Sequence, residues 1–154
     1  MRTQKSAYVD INPAIVIPNC KIILAKRKIG ITEGGKWHLP GGRVQLKETL
    51  VETLKRISFV KTNLRVTLFY PSLKESLVGI YDDPNRDPRE HVISIAFFCM
   101  IINGDIIPGA KVDEVKGFSE IEIKDLDIAF DHRKTLDDAF VILKDRGSAM
   151  KSQA

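Results

Sequence analysis

The residues best suited to chemistry cluster between Trp37 and Leu64, where Glu48 and Glu52 stand four apart on a line that continues to Arg56. On a helix this spacing puts all three on one stripe, and it admits two readings. One is an i, i+4 charged stripe; the other is a weak oxygen site for a hard cation, drawing on Glu48, Glu52 or the more distant Glu114. The same stretch is rich in base: Arg43, Lys47, Lys55, Arg56, Lys61 and Arg65 face Glu48 and Glu52 alone. That local excess equals the formal net charge of +4 carried by the whole chain. Arg and Lys are direct phosphate partners, so the segment is suited to an anion. Lys61 either joins such a site or points to solvent.

Other reactive side chains are scattered. Arg86 and Arg89, in DDPNRDPREH, could reach a phosphate or pair with Asp82, Asp83 and Asp87, and local pairing is the expectation. His38, His91 and His132 have no spacing that makes a zinc site or a catalytic triad. Trp37 could stack on a base or sugar, or pack beneath the glycines around it. Cys20 and Cys99 sit in apolar stretches without metal-ligand spacing and are expected to be buried free thiols of a reducing compartment.

The elements that must hold these residues follow from periodicity. AIVIPNCKIILAKRK reads as a hairpin broken at Pro18-Asn19, and GITEGGKWHLPGGRVQ as a shaped, glycine-rich loop. Leu50, Leu54, Ile57 and Leu64 recur at helical spacing, predicting an amphipathic helix from Lys47 to about Lys61. LRVTLFY, LVGIYDD and HVISIAFFCMII read as strands, the last central and covered on both faces, and FSEIEI as a shorter one. A closing helix should start with Asp131 as N-cap and end on Gly147 as C-cap. The expected architecture is α/β (α+β), an α/β/α sandwich with a mixed sheet.

With 154 residues, 44% hydrophobic and 29% charged, the composition suits one domain, expected over residues 1–147 with a mobile tail at 148–154. The start lacks the apolar core of a signal peptide, and no apolar run reaches the ~18–20 residues of a membrane span. A cytoplasmic protein without a membrane partner is expected. No recognition helix or aromatic-basic strand points to specific nucleic-acid reading.

The segment GGKWHLPGGRVQLKETLVETLKRISFVKTNL resembles the signature of the Nudix family, a loop, helix, loop unit. There a glycine is followed by a glutamate and then by an Arg-Glu-apolar-any-Glu-Glu-any-Gly-apolar string; Gly42, Glu48 and Arg56 match in register, after Trp37 to Gly42 in the family's usual Trp-any-Leu-Pro-Gly-Gly. GIYDDPNRDPREHVISIAF and DIAFDHRKTLDDA are similar to segments of the ADP-ribose pyrophosphatase type, and Glu114 takes the place of a glutamate that commonly precedes the penultimate strand. The resemblance implies a Nudix fold over most of residues 10–147. It also locates a departure: Ile57, Val60 and Lys61 stand where the family places the carboxylates that hold magnesium, and Asn63 stands where it places glycine. Asn tolerates the left-handed backbone that follows a helix, and Ile57 and Val60 are expected to widen the apolar stripe.

The resemblance implies a cleft for a nucleoside diphosphate derivative of the ADP-ribose class, or another nucleotide sugar, contacted by Trp37, Gly41, Gly42, Arg43, Arg56, Lys61, Arg86 and Arg89. An alkyl group offers Mg²⁺ or Mn²⁺ no lone pair and an ammonium repels it, so metal-dependent hydrolysis is expected to be weakened or lost. Any remaining catalysis would fall to Glu48 and Glu114. LPGGRVQLKETL is also similar to GDP-mannose mannosyl hydrolases, which keep a glutamate where this chain has Lys61. A second alternative is a non-catalytic nucleotide-sugar-binding or regulatory module. A homodimer is the default assembly.

Overall fold

The computed structural model of the chain describes residues 3–153, with side chains through Gly147. Strand β1 (Tyr8–Ile17) turns through Pro18-Asn19-Cys20 into β2 (Lys21–Arg27), as the hairpin pattern predicts. Asn19 and Cys20 both have positive φ, and Cys20 is exposed at this tip, so the expectation of two buried thiols holds only for Cys99. The glycine loop contributes two short strands, β3 (Trp37–His38) on β2 and β4 (Gly42–Arg43) on β1.

Helix α1 spans Leu50–Thr62. It begins later than its periodicity suggests because the Thr49 side chain accepts the Glu52 N–H and sets the N-cap there. It ends on Asn63, left-handed at φ 64, a backbone conformation that Asn tolerates after a helix. Strands β5 (Arg65–Leu68) and β6 (Leu77–Tyr81) flank the short α2 (Leu73–Ser76), and both pair with the long β7 (Val92–Asn103). β7 also runs parallel to β1, making it central.

Two features differ from the sequence reading at the C-terminal side. The strand there is β8 (Val112–Phe118), paired with β2, whereas Glu120–Ile123 is a helical turn, α3. Ser119 and Glu122 close a reciprocal capping box, a local pattern that outweighs the alternation of FSEIEI. Helix α4 (His132–Gln153) passes through Gly147, so no C-cap forms there and the helix continues into the segment expected as a tail. Ala154, like Met1 and Arg2, lies outside the described residues.

The eight strands form one mixed sheet with α1 and α4 on opposite faces, the expected three layers. Alternation along each strand makes the two cores. Ile11, Ile15, Phe97 and Cys99 face Leu54 of α1; Ala14, Ile22, Ala96 and Phe98 face Leu136 and Phe140 of α4.

Glycines test this arrangement in opposite directions. A Cβ at Gly109 would overlap the Val60 carbonyl, because the 104–110 loop packs on the end of α1 through Gly109 N–H to Lys61 O and Ile107 N–H to Thr62 O. Gly147 has open space around it within a helix. Gly109→Ala should lower the urea midpoint by the equivalent of about 1–3 kcal/mol, and Gly147→Ala should raise it by about 0.5–1 kcal/mol. Destabilisation by Gly147→Ala would mean that the helix stops at that residue.

Candidate functional site

The glycines at the turn into α1 are defined by close approach. A Cβ on Gly42 would run into Ile57 Cδ1, and one on Gly41 into Asn12 Nδ2. Ile57 is buried beneath Gly42, so the residue in the first carboxylate position of the family string is a packing residue. Val60, in the second, is 49% exposed and does not widen the buried stripe as expected; it sits on the outward face of α1. Lys61, in the third, is half-buried and lines a cleft of about 330 Å³.

That cleft gathers Arg27, Arg43, Lys61, Arg89 and Lys111 against two carboxylates, Asp10 and Glu90. Burial, followed by the nearby Lys111 and Arg27 charges, lowers the Lys61 pKa. Burial and then Arg89 do the same to Arg27. The guanidiniums of Arg27 and Arg89 lie 4.9 and 5.0 Å from the Phe130 ring centroid, which holds two like charges near one aromatic. Arg27 Nε also donates to Thr32 O at 2.7 Å, and Arg89 forks onto Asp87 at 2.8 and 3.0 Å. Arg43 reaches Glu90 at 2.8 Å and stacks on Tyr8.

The acids named from sequence are elsewhere. Glu48 accepts from Arg56 at 2.7 and 2.9 Å, from Thr53 Oγ1 at 2.6 Å and from the Gln45 N–H. Its carboxyl is held down to about 2, first by the Arg56 hydrogen bonds. Arg56 also donates to Arg43 O, so it is a brace and does not line the cleft. Glu52 closes on Thr49 at the N-cap and does not continue the charged stripe. Glu114 is exposed on β8, opposite Lys26, and does not line the cleft. Trp37 is buried edge-on against Phe118 at 4.8 Å, the packing reading of that residue. Arg86 forks onto Asp131 at 2.6 and 2.8 Å, so that carboxylate does not serve as the expected N-cap, and Arg89 takes Asp87. Local pairing holds for Arg89, whereas Arg86 pairs with Asp131, far off in sequence, and not with Asp82, Asp83 or Asp87 as expected.

Sequence reasoning missed Asp10, Arg27 and Lys111, and it treated His38 as isolated. Asp10 had a signal, being an acid inside an apolar strand; Lys111, at positive φ after a turn, had none. His38 and His132 come within 5.9 Å and line a small inner lobe of about 60 Å³ that shares Asp10, Arg27 and Arg89 with the cleft. His132 Nδ1 accepts the Leu39 N–H, and burial pushes its pKa to about 4; burial also lowers His38 strongly.

Comparison with known proteins decides the family: the NUDIX domain model matches residues 11–139. The chain belongs to the Nudix family. It is 36% identical to an ADP-ribose pyrophosphatase of Methanocaldococcus jannaschii over 142 residues, covering 89% of this chain and 79% of that one. A NUDIX hydrolase structure from Nitrosomonas europaea superposes with TM-score 0.67 at 29% identity, over 83% of this chain and 66% of that one. The NUDIX domain of Shewanella oneidensis NrtR, complexed with ADP ribose, superposes with TM-score 0.73 at 21% identity, over 91% and 90%. The protein is thus a Nudix relative of ADP-ribose pyrophosphatases.

Nudix hydrolases usually use Mg²⁺ or Mn²⁺, and the donor set of this Nudix protein does not fit one at the family's position. Ile57, Val60 and Lys61 offer no anionic oxygen, Glu48 is saturated by hydrogen bonds, and among the described residues no group of three or more His, Cys, Asp or Glu could hold a metal ion. No helix among the described residues is long and apolar enough to cross a membrane.

The buried imidazoles make stability depend on pH. The unfolded chain protonates His132 near 6.5, whereas the folded chain resists until about 4, so stability falls as pH drops through that window. Between pH 7 and 5 this histidine alone should cost about 2 kcal/mol, and His132→Gln should flatten the pH dependence of the urea midpoint. An unchanged slope in the variant would place the proton uptake elsewhere.

Proposed function

We propose that this Nudix protein binds a nucleoside diphosphate joined to a sugar, of the ADP-ribose class, through side-chain cations, with metal-dependent hydrolysis weakened or lost. The observation that carries this reading is the placement of Lys61. It occupies a carboxylate position of the family signature, yet it is turned into the cleft beside Arg27 and Lys111. Partly buried like charges are costly to hold together unless a counter-charge joins them, and a diphosphate supplies it.

In this reading Lys61, Arg27 and Lys111 take the phosphate oxygens, while Gly41 and Gly42 line the cleft as bare backbone, because a Cβ on either would meet Asn12 or Ile57 behind it. Arg43 and Arg89 flank the entrance, already paired with Glu90 and Asp87. ADP-ribose is favoured by the Methanocaldococcus jannaschii relative, an ADP-ribose pyrophosphatase, and by the NrtR domain, which was crystallised with ADP ribose. Two unpaired cysteines, one of them exposed, suit a reducing cytoplasm.

Calorimetry with ADP-ribose in excess chelator should show binding that weakens as salt rises, and Lys61→Glu should weaken it by about 10-fold or more. Incubation with Mg²⁺ or Mn²⁺ should release no phosphorylated product above the rate in buffer. Binding that appears only on addition of magnesium, or turnover abolished by Glu48→Gln or Glu114→Gln, would replace this reading with that of a hydrolase.

A further inference from the structure

Asp10 stands on β1 opposite Arg43 and Ser94 and lines both the cleft and its inner lobe. Its Oδ1 is buried and has no hydrogen-bond partner. The nearest cationic nitrogen, Arg43 Nε, is 3.9 Å away, and that guanidinium is engaged by Glu90. A carboxylate oxygen in this position lacks a donor, and burial raises its pKa against the opposing pull of Arg43, Arg86 and Arg89. It also repels any phosphate that enters beside it. A site serving bare diphosphate would be better without it.

Both costs are relieved by a ligand that brings a neutral donor to this point. The inner lobe is small and polar: its arginines, Arg27, Arg86 and Arg89, are engaged by Thr32 O, Asp131 and Asp87, and Asn12, Ser94, His38 and His132 add neutral groups, the two histidines being neutral at pH 7. It suits a hydroxyl-bearing carbon, whereas a purine ring needs the outer cleft. We infer that Asp10 accepts a hydrogen bond from a sugar hydroxyl of the ligand, so that the cleft selects a diphosphate joined to a sugar over bare diphosphate. This deepens the reading of the cleft as an anion site and rests on it.

The two roles of the carboxylate give its removal opposite effects on two probes. Calorimetry in chelator compares ADP-ribose with inorganic diphosphate on the wild-type chain, Asp10→Asn and Asp10→Ala, with thermal melts to confirm folding. Asp10→Ala should weaken ADP-ribose by about 10-fold, the loss of one charge-assisted hydrogen bond, and should tighten diphosphate severalfold. Asp10→Asn, which keeps an acceptor oxygen, should lose less on ADP-ribose and tighten diphosphate equally. Tightening of both probes in Asp10→Ala would make Asp10 a repelling charge only and overturn the inference while leaving the anion site intact. Weakening of both, or no change in either, would make its role structural and overturn it too. A wild-type chain that binds neither probe would refute the anion site and this inference together.

Discussion

Arg56 grips Glu48 through two hydrogen bonds and the Arg43 carbonyl through a third, and this fork joins the segment before α1 to the helix itself. With it in place, β4 lies against β1, Gly42 closes over Ile57, and the last turn of α1 presents Lys61 to the cleft. A guanidinium fork fixes both distance and plane, which a single lysine contact would not. The arrangement also occupies Glu48. A carboxylate that already receives four donors, including the Thr53 hydroxyl and the Gln45 amide, is part of the scaffold rather than a free ligand.

The family signature thus separates into two functions in this chain. Its framework part, Gly42, Glu48 and Arg56, is kept and builds the loop and helix. On the reading proposed above, the positions that carry charge in the family fall on Ile57 in the core, Val60 on the outward face of α1 and Lys61 in the cleft. Of the three, Ile57 alone is fully buried, and an alkyl chain there packs where an uncompensated carboxylate would be disfavoured. Electrostatically, the result is a concave site in which Arg27 and Lys61 are held below their usual pKa range, first by burial and then by Arg89 for Arg27 and by Lys111 and Arg27 for Lys61. Such strain between cations is a feature that folding alone does not require.

Much of this was legible in the chain because it is local. The 3.6-residue recurrence of Leu50, Leu54 and Ile57 gave α1, the Pro18-Asn19 break gave the hairpin, and the spacing of Gly42, Glu48 and Arg56 gave the turn between. What could not be read is what the sheet brings together from afar. Asp10, Arg27 and Lys111 meet Lys61 only because β1, β2 and the loop before β8 converge with α1 on the cleft. His38 and His132, dispersed in sequence, become neighbours through Leu39. Two local errors have local causes: FSEIEI alternates like a strand, yet the Ser119–Glu122 box captures it, and Cys20 sits among apolar residues but at the tip of a turn. Gly147 has a C-cap's identity without its backbone conformation.

The central claim is that side-chain cations stand where the family places a carboxylate-bound metal. A crystal of the protein grown with ADP-ribose and manganese, measured at the manganese absorption edge, tests it most directly. The account predicts diphosphate density against Lys61, Arg27 and Lys111 with no anomalous peak beside α1. A manganese ion bound to Glu48 or Glu52 and to the diphosphate would contradict it.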